Sequence, residues 1–167
     1  MRKQSWDSLA PNFKDYAYTE AVGRFVERVT RELRPVAVIL FGSLARGDYH
    51  QRSDADFVVL LAESFHSPFD GYDCVVACDP SGVVQPLVYS PDQFRQMLRQ
   101  GNGLALEVMA DGLFLAGDET FFQEIEQLAA QVQQQLGIER TPTGWYLARP
   151  EEAGILRKES GHVPGEQ

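Results

Sequence analysis

The sequence predicts an α/β (α+β) chain in which helices pack against a mixed sheet. Three observations carry that expectation. Two continuous apolar runs, Val36 to Phe41 and Phe57 to Leu61, are bounded by turn residues and read as buried strands. Around them, apolar residues recur at helical spacing between recognisable start and stop signals. The order that results, α-β-α-β-(α)-β-α-α-β-α, mixes the two kinds of element along the chain.

Taken in order, residues 1–14 read as irregular, with Pro11 and mixed polar residues. From Thr19 to Leu33, Val22, Phe25, Val26, Val29 and Leu33 line one helical face, and Pro35 ends the helix. The first strand is Val36 to Phe41, followed by a loop or short helix from Ser43 to Arg46. The second strand, Asp56 to Leu61, is apolar on both faces and so expected at the centre of the sheet. Residues 62–82 are punctuated by Ser, Pro, Gly and Asp around Val75-Val76-Ala77-Cys78, a helix or irregular crossover. A third strand, Val83 to Tyr89, contains Pro86, which removes a ladder donor and predicts an edge or bulge. Ser90 and Pro91 start a helix that runs through Phe94, Met97 and Leu98 to Gly101-Asn102-Gly103. Leu104 to Ala110 predicts a further helix, and Gly112 to Gly117 a short strand. Asp118 caps a last amphipathic helix reaching Leu136.

The expected organisation is a principal domain over 1–136 and a partly irregular C-terminal extension over 137–167. In that extension the Trp145-Tyr146-Leu147 cluster is expected to pack on the domain's own core, or else to meet a partner. The length suits one domain with a proper core. No apolar stretch is long enough to span a bilayer, and the opening Met1-Arg2-Lys3-Gln4 has no apolar region after it. The expected location is therefore cytoplasmic. A net charge of -9 argues against non-specific nucleic-acid binding, which rests on Lys and Arg neutralising phosphates. It suits a basic partner, or a small nucleotide delivered with magnesium. Cys74 and Cys78 have no second metal-ligand pair, and His50, His66 and His162 are scattered, so free thiols are expected rather than zinc.

The chemistry is concentrated in Phe41-Gly42-Ser43-Leu44-Ala45-Arg46-Gly47-Asp48 and, ten residues after Ser43, Ser53-Asp54-Ala55-Asp56-Phe57. Asp54 and Asp56, at i and i+2 on a strand entrance, point to one face. Two adjacent carboxylates repel, and a divalent cation relieves that repulsion. The Gly42-Ser43 turn offers backbone N–H groups and a hydroxyl suited to a phosphate. Taken singly, these residues equally suit a strand-to-helix turn with Ser43 as N-cap and two solvated aspartates.

Together, Gly42-Ser43-x-x-Arg46-Gly47 and Ser53-Asp54-x-Asp56 resemble the signature of the polymerase-β-like nucleotidyltransferase superfamily, and within it the minimal nucleotidyltransferases. The resemblance spans roughly residues 20 to 120. It implies the corresponding fold, with Asp54 and Asp56 as catalytic, Mg2+-holding acids and Gly42, Ser43 and Arg46 binding the phosphates of ATP or another NTP. Arg46 has a second reading, as a structural fork tying the turn to a carboxylate or carbonyl. The family pattern also implies a third carboxylate on the third strand, and here that position is best matched by Gln85. A glutamine amide can neither act as a base nor add charge for a second cation. Asp79 and Asp92 are the carboxylates nearest to that strand in sequence.

Three readings follow. The first is transfer of a nucleoside monophosphate, AMP above all, to a protein or small-molecule hydroxyl. The setting that the resemblance implies is an antitoxin paired with a HEPN-type ribonuclease. That ribonuclease's own motif, an Arg and a His separated by four to six residues, is absent, since Arg46 and His50 stand too close. The second is a catalytically weakened module that binds a nucleotide or a partner, with an oligomer as one form it can take. The third is an enzyme that adenylylates an aminoglycoside, a cationic substrate that the acidic composition suits.

Overall fold

The computed structural model describes residues 3–62 and 68–147. His66, His162 and residues 148–167 of the expected extension lie outside the described residues. Strands β1 (Ala37–Phe41), β2 (Ala55–Leu60), β3 (Val84–Tyr89) and β4 (Leu113–Gly117) form one sheet in the order β3-β2-β1-β4. β1 runs antiparallel to both β2 and β4, while β2 and β3 are parallel, so the sheet is mixed as expected. β2 is interior and β3 an edge. Pro86 therefore sits on β3 without costing an inner ladder bond.

Helices cover both faces. On one side α1 (Trp6–Leu9), α2 (Thr19–Leu33) and α4 (Pro68–Val76) meet the sheet, and Phe25 packs on Phe57 with ring centroids 5.0 Å apart. On the other side lie α5 (Pro91–Arg99), α6 (Gly103–Asp111) and α7 (Glu119–Leu136), where Phe114 stacks on Phe122 at 4.3 Å. Strand alternation divides β2 between these cores: Ala55, Phe57 and Val59 face the first, Val58 and Leu60 the second. Both faces being buried explains the uninterrupted apolar runs.

The caps predicted at Ser90 and Asp118 form, and Asn102, read only as part of a break, adds a third. The Ser90 hydroxyl accepts from Gln93 N and the Gln93 side chain accepts from Ser90 N, a reciprocal capping box. Asn102 caps α6, and Asp118 caps α7 by accepting from Thr120 N at 2.8 Å. α2 ends in a left-handed Arg34 immediately before Pro35.

Three stretches differ from expectation. Residues 6–13, read as irregular, form α1 and a 3-10 turn (Ala10–Phe13). They are held there by tertiary contacts: Trp6 stacks on Phe13 at 5.2 Å and donates to Thr19 O. Within 62–82, the helix is α4 and ends at Val76, before Ala77-Cys78. Beyond Leu136, β5 (Ile138–Thr141) and β6 (Gly144–Leu147) make a hairpin at the start of an extension expected to be partly irregular, with no strand predicted there. Its Trp145 packs on the second core, while Tyr146 is exposed. Among the described residues no helix is long and apolar enough to cross a membrane.

Candidate active site

The first strand delivers the chain into the Gly-Ser turn, and the register of the sheet decides what that turn meets. Phe41, the last residue of β1, pairs with Asp56 near the start of β2. A short helix, α3 (Gly42–Arg46), begins directly after it. Phe41 occupies the cap position without a side-chain cap bond, so Ser43 is the second helical residue and not the N-cap. Gly42 adopts φ +73°, and a Cβ built there would stand 2.5 Å from Asp56 Oδ2. No side chain fits between the turn and that carboxylate. The glycine is needed twice over, for its backbone angle and for the close approach.

Asp54 and Asp56 lie two residues apart at the β2 entrance, Asp54 exposed and Asp56 half-buried. Partial burial and then the charge of Asp54 hold the Asp56 carboxyl above its ordinary value. The Arg46 guanidinium opposes this shift and the charge of Glu107 adds to it.

The loop that carries Asp54 is pinned from behind. Tyr16 donates its hydroxyl to Ser53 O at 2.7 Å, and burial followed by the Asp54 charge pushes the phenol up to about 12. His50 N donates to Ser53 Oγ at 2.9 Å, and Tyr49 packs edge-on against Tyr16.

Arg46 is tied to two carboxylates, donating from Nε to Asp48 Oδ2 at 3.3 Å and from Nη1 to Glu107 Oε1 at 3.0 Å. In this state it is the structural fork of the two readings. Gln85 is the β3 residue in register with Asp56. Neither nearby aspartate substitutes for it. Asp79 is buried and accepts from Val84 N at 2.8 Å and from Ser81, which closes the turn into β3. Asp92 lies past the far end of the parallel pair, on the order of 15 Å of strand away, and is paired with Arg95. Among the described residues no group of three or more His, Cys, Asp or Glu is placed to hold a metal.

Two carboxylates without a third suit one kind of cation site. Mg2+ is commonly bound by one or two protein carboxylates, with substrate phosphates and water completing its shell. The residues present fit that mode, and the crowded, partly desolvated charge at Asp56 is the reason a cation would be favoured there.

Comparison with known proteins decides the family. Residues 22–110 match the model of the nucleotidyltransferase domain, which takes in the turn, both acids, β3 and most of α6. The chain belongs to the nucleotidyltransferase domain family. The fold class and the family read from the Gly-Ser and Asp-x-Asp motifs are thereby borne out. No curated protein matches the chain. Among solved structures, it is similar to a toxin–antitoxin with AMP-PNP, at 18% identity and TM-score 0.49, covering 82% of this chain and 97% of that one. It is also similar to a candidate nucleotidyltransferase from Sulfolobus solfataricus, at 21% identity and TM-score 0.45, covering 71% and 92%. A mutant of the toxin–antitoxin MntA-HpeT is similar at 16% identity and TM-score 0.47, covering 81% and 96%. Family membership rests on the sequence match alone.

Two residues that the structure brings to this candidate site, Glu107 and Tyr16, were not singled out from the sequence. Glu107 was legible as the only charge in the apolar stretch from Leu104 to Ala110. Tyr16 belongs to an aromatic-rich stretch, Phe13 to Tyr18, unusual for an irregular segment. Neither signal says what the side chain touches. A groove of about 960 Å³ among Trp6, Gly23, Val26, Leu115 and Ala116 contains none of the site residues.

Proposed function

We propose that this domain binds a magnesium–nucleoside triphosphate and transfers its nucleoside monophosphate, AMP above all, to a hydroxyl group, whose oxygen bonds to the α-phosphorus and loses its proton as the α–β phosphoanhydride bond breaks and pyrophosphate leaves. The single observation that supports this best is the abutment of Gly42 and Asp56. It sets a turn able to receive phosphate directly against a carboxylate able to hold the accompanying cation. Asp54 and Asp56 would hold Mg2+, which when bound neutralises triphosphate charge and polarises the phosphoryl oxygen. Gly42 admits the phosphates to the backbone, Ser43 offers N–H and hydroxyl, and Arg46 adds positive charge beside them. Tyr16 keeps the acid-bearing loop in place through Ser53.

Thermal denaturation tests the reading. Mg-ATP should stabilise the wild type, by about 2.7 kcal/mol at a hundredfold excess over Kd. ATP without magnesium should not, and Asp54→Asn or Asp56→Asn should remove the effect while the protein stays folded. Equal stabilisation of the wild type and both variants would refute it.

For the acceptor, the motif resemblance favours a protein partner, a HEPN-type ribonuclease to which this chain would be antitoxin. Co-expression with such a ribonuclease and α-labelled ATP should label the ribonuclease and relieve its toxicity.

A second reading has its own observation. Gln85 stands in register beside Asp56 where the family pattern implies an acid, which favours a module that binds nucleotide and turns it over slowly. On that reading Gln85→Asp accelerates transfer, general-base assistance being worth about 10² to 10⁴ in rate. Brisk transfer by the wild type, unchanged in Gln85→Asp, would leave the first reading standing.

A further inference from the structure

We infer that Glu107 is a positioning residue for the triphosphate, acting through Arg46. The inference rests on the nucleotide-binding reading and names a part of that site which the motif does not contain.

Arg46 stands four residues after Gly42, on the same face of α3 as the glycine that abuts Asp56. Two carboxylates fix the plane of its guanidinium, Asp48 through Nε and Glu107 through Nη1. Among the described residues Nη2 has no partner, and the side chain keeps 35% of its exposure. The two bonds take one nitrogen of each of the guanidinium's two forks, so a fixed plane leaves the N–H groups of Nη2 pointing in a set direction, as charge-assisted donors to a phosphate oxygen.

Of the two anchors, Asp48 lies two residues away, in the turn itself, and is largely exposed. Glu107 reaches Arg46 from α6, across 61 positions of sequence. α6 is capped by Asn102, and Leu106 and Val108 on either side of Glu107 are buried. The helix that carries Glu107 is thus fixed by the core, so the orientation of the Arg46 guanidinium is set when the protein folds and not when the ligand arrives.

Charge alone predicts the opposite effect, which makes the idea easy to test. Removing a carboxylate beside a polyphosphate site should tighten binding of the anion; removing a positioning group should weaken it. The probe is magnesium with α,β-methylene-ATP, which cannot be cleaved at the α-phosphate, measured by calorimetry on the full chain. Glu107→Gln should weaken binding about tenfold, the range expected for losing one charge-assisted hydrogen bond. Glu107→Asp, which keeps the charge and shortens the reach, should fall between that variant and the wild type. In an Arg46→Ala background Glu107→Gln should add nothing. Unchanged or tighter binding in Glu107→Gln overturns the inference, as does a loss of the same size with Arg46 already removed. If Glu107→Gln does not fold, Glu107→Asp alone and combined with Arg46→Ala gives the same comparison. Absence of magnesium-dependent binding in the wild type is a different failure, which removes the nucleotide reading itself.

Discussion

Arg46 and Arg95 stand at opposite ends of the sheet, and each bridges two carboxylates. Arg95 is saturated: it pairs with Asp92 through Nη1 at 2.7 Å and grips both oxygens of Glu124 through Nε and Nη2, while its guanidinium lies 5.0 Å over the Phe121 ring. Arg46 uses two nitrogens on two separate carboxylates and, among the described residues, has no ring beneath it. Arg95 binds α5 to α7 and its charge is fully answered. Arg46 sits in a net-acidic cluster of Asp48, Asp54, Asp56 and Glu107, where its single charge cannot balance four. One end of the molecule is complete without a ligand. On the proposed function, a cation and the anion it carries would complete the other.

The largest expected effect comes from filling the gap at the acid end. Gly42→Val should abolish magnesium-dependent nucleotide binding, since its Cβ would overlap Asp56 Oδ2. The left-handed backbone angle should also lower stability, by about 1–3 kcal/mol in urea unfolding. If the variant binds Mg-ATP like the wild type, the acid end is not the ligand-completed one.

Next comes Asp56→Asn in the presence of a chelator. The raised value of Asp56 means that the folded protein holds this proton more tightly than the unfolded chain does. Its contribution therefore favours folding below the ordinary carboxylate range and is lost as pH rises through the folded value. Asp56→Asn should be the more stable protein at neutral pH, with the gain vanishing on acidification. A variant less stable than the wild type at pH 7, or an advantage that ignores pH, would contradict the charge imbalance.

The two arginines then separate directly. Arg95→Ala should cost about 0.5–1 kcal/mol of stability, after solvent screening of its partly exposed pairs, and leave nucleotide affinity alone. Arg46→Ala should cost less stability and weaken binding. The same outcome from both would erase the distinction.

The smallest effect is expected of Ser43→Ala. Because Ser43 is not the cap of α3, stability should change by less than the ~1 kcal/mol of a lost N-cap, with mildly weaker binding from the missing hydroxyl. A full cap-sized loss with unaltered affinity would return Ser43 to the role of an ordinary turn residue.

The legible parts of the chain were those whose signals are local. Ser90-Pro91 and Asp118 cap helices because a side-chain oxygen reaches a backbone N–H two or three residues on, and of the edge or bulge that Pro86 predicted the sheet shows the edge. Asp54 and Asp56 were legible because strand alternation places i and i+2 on one face whatever else the chain does. Less visible were α1 and the β5–β6 hairpin, whose local preferences are weak. Trp6 orders the first by reaching Phe13 and Thr19, and Trp145 anchors the second on the core of the α5–α7 face. Asp79 shows the converse. By position it was a spare carboxylate near the third strand, but its oxygens are spent on Val84 and Ser81.

The sequence by itself determined the family and the two apolar strands, and it placed the Gly-Ser turn and the Asp-x-Asp pair from which the proposed site is read, because each depends on spacing along a regular element. Tertiary structure decided that Gly42 lies against Asp56, that Gln85 is its neighbour on β3, and that Glu107 reaches Arg46 from α6. Those pairings depend on sheet register and on how helices seat against the core. Both arise from the burial of many side chains at once, so no short segment carries them.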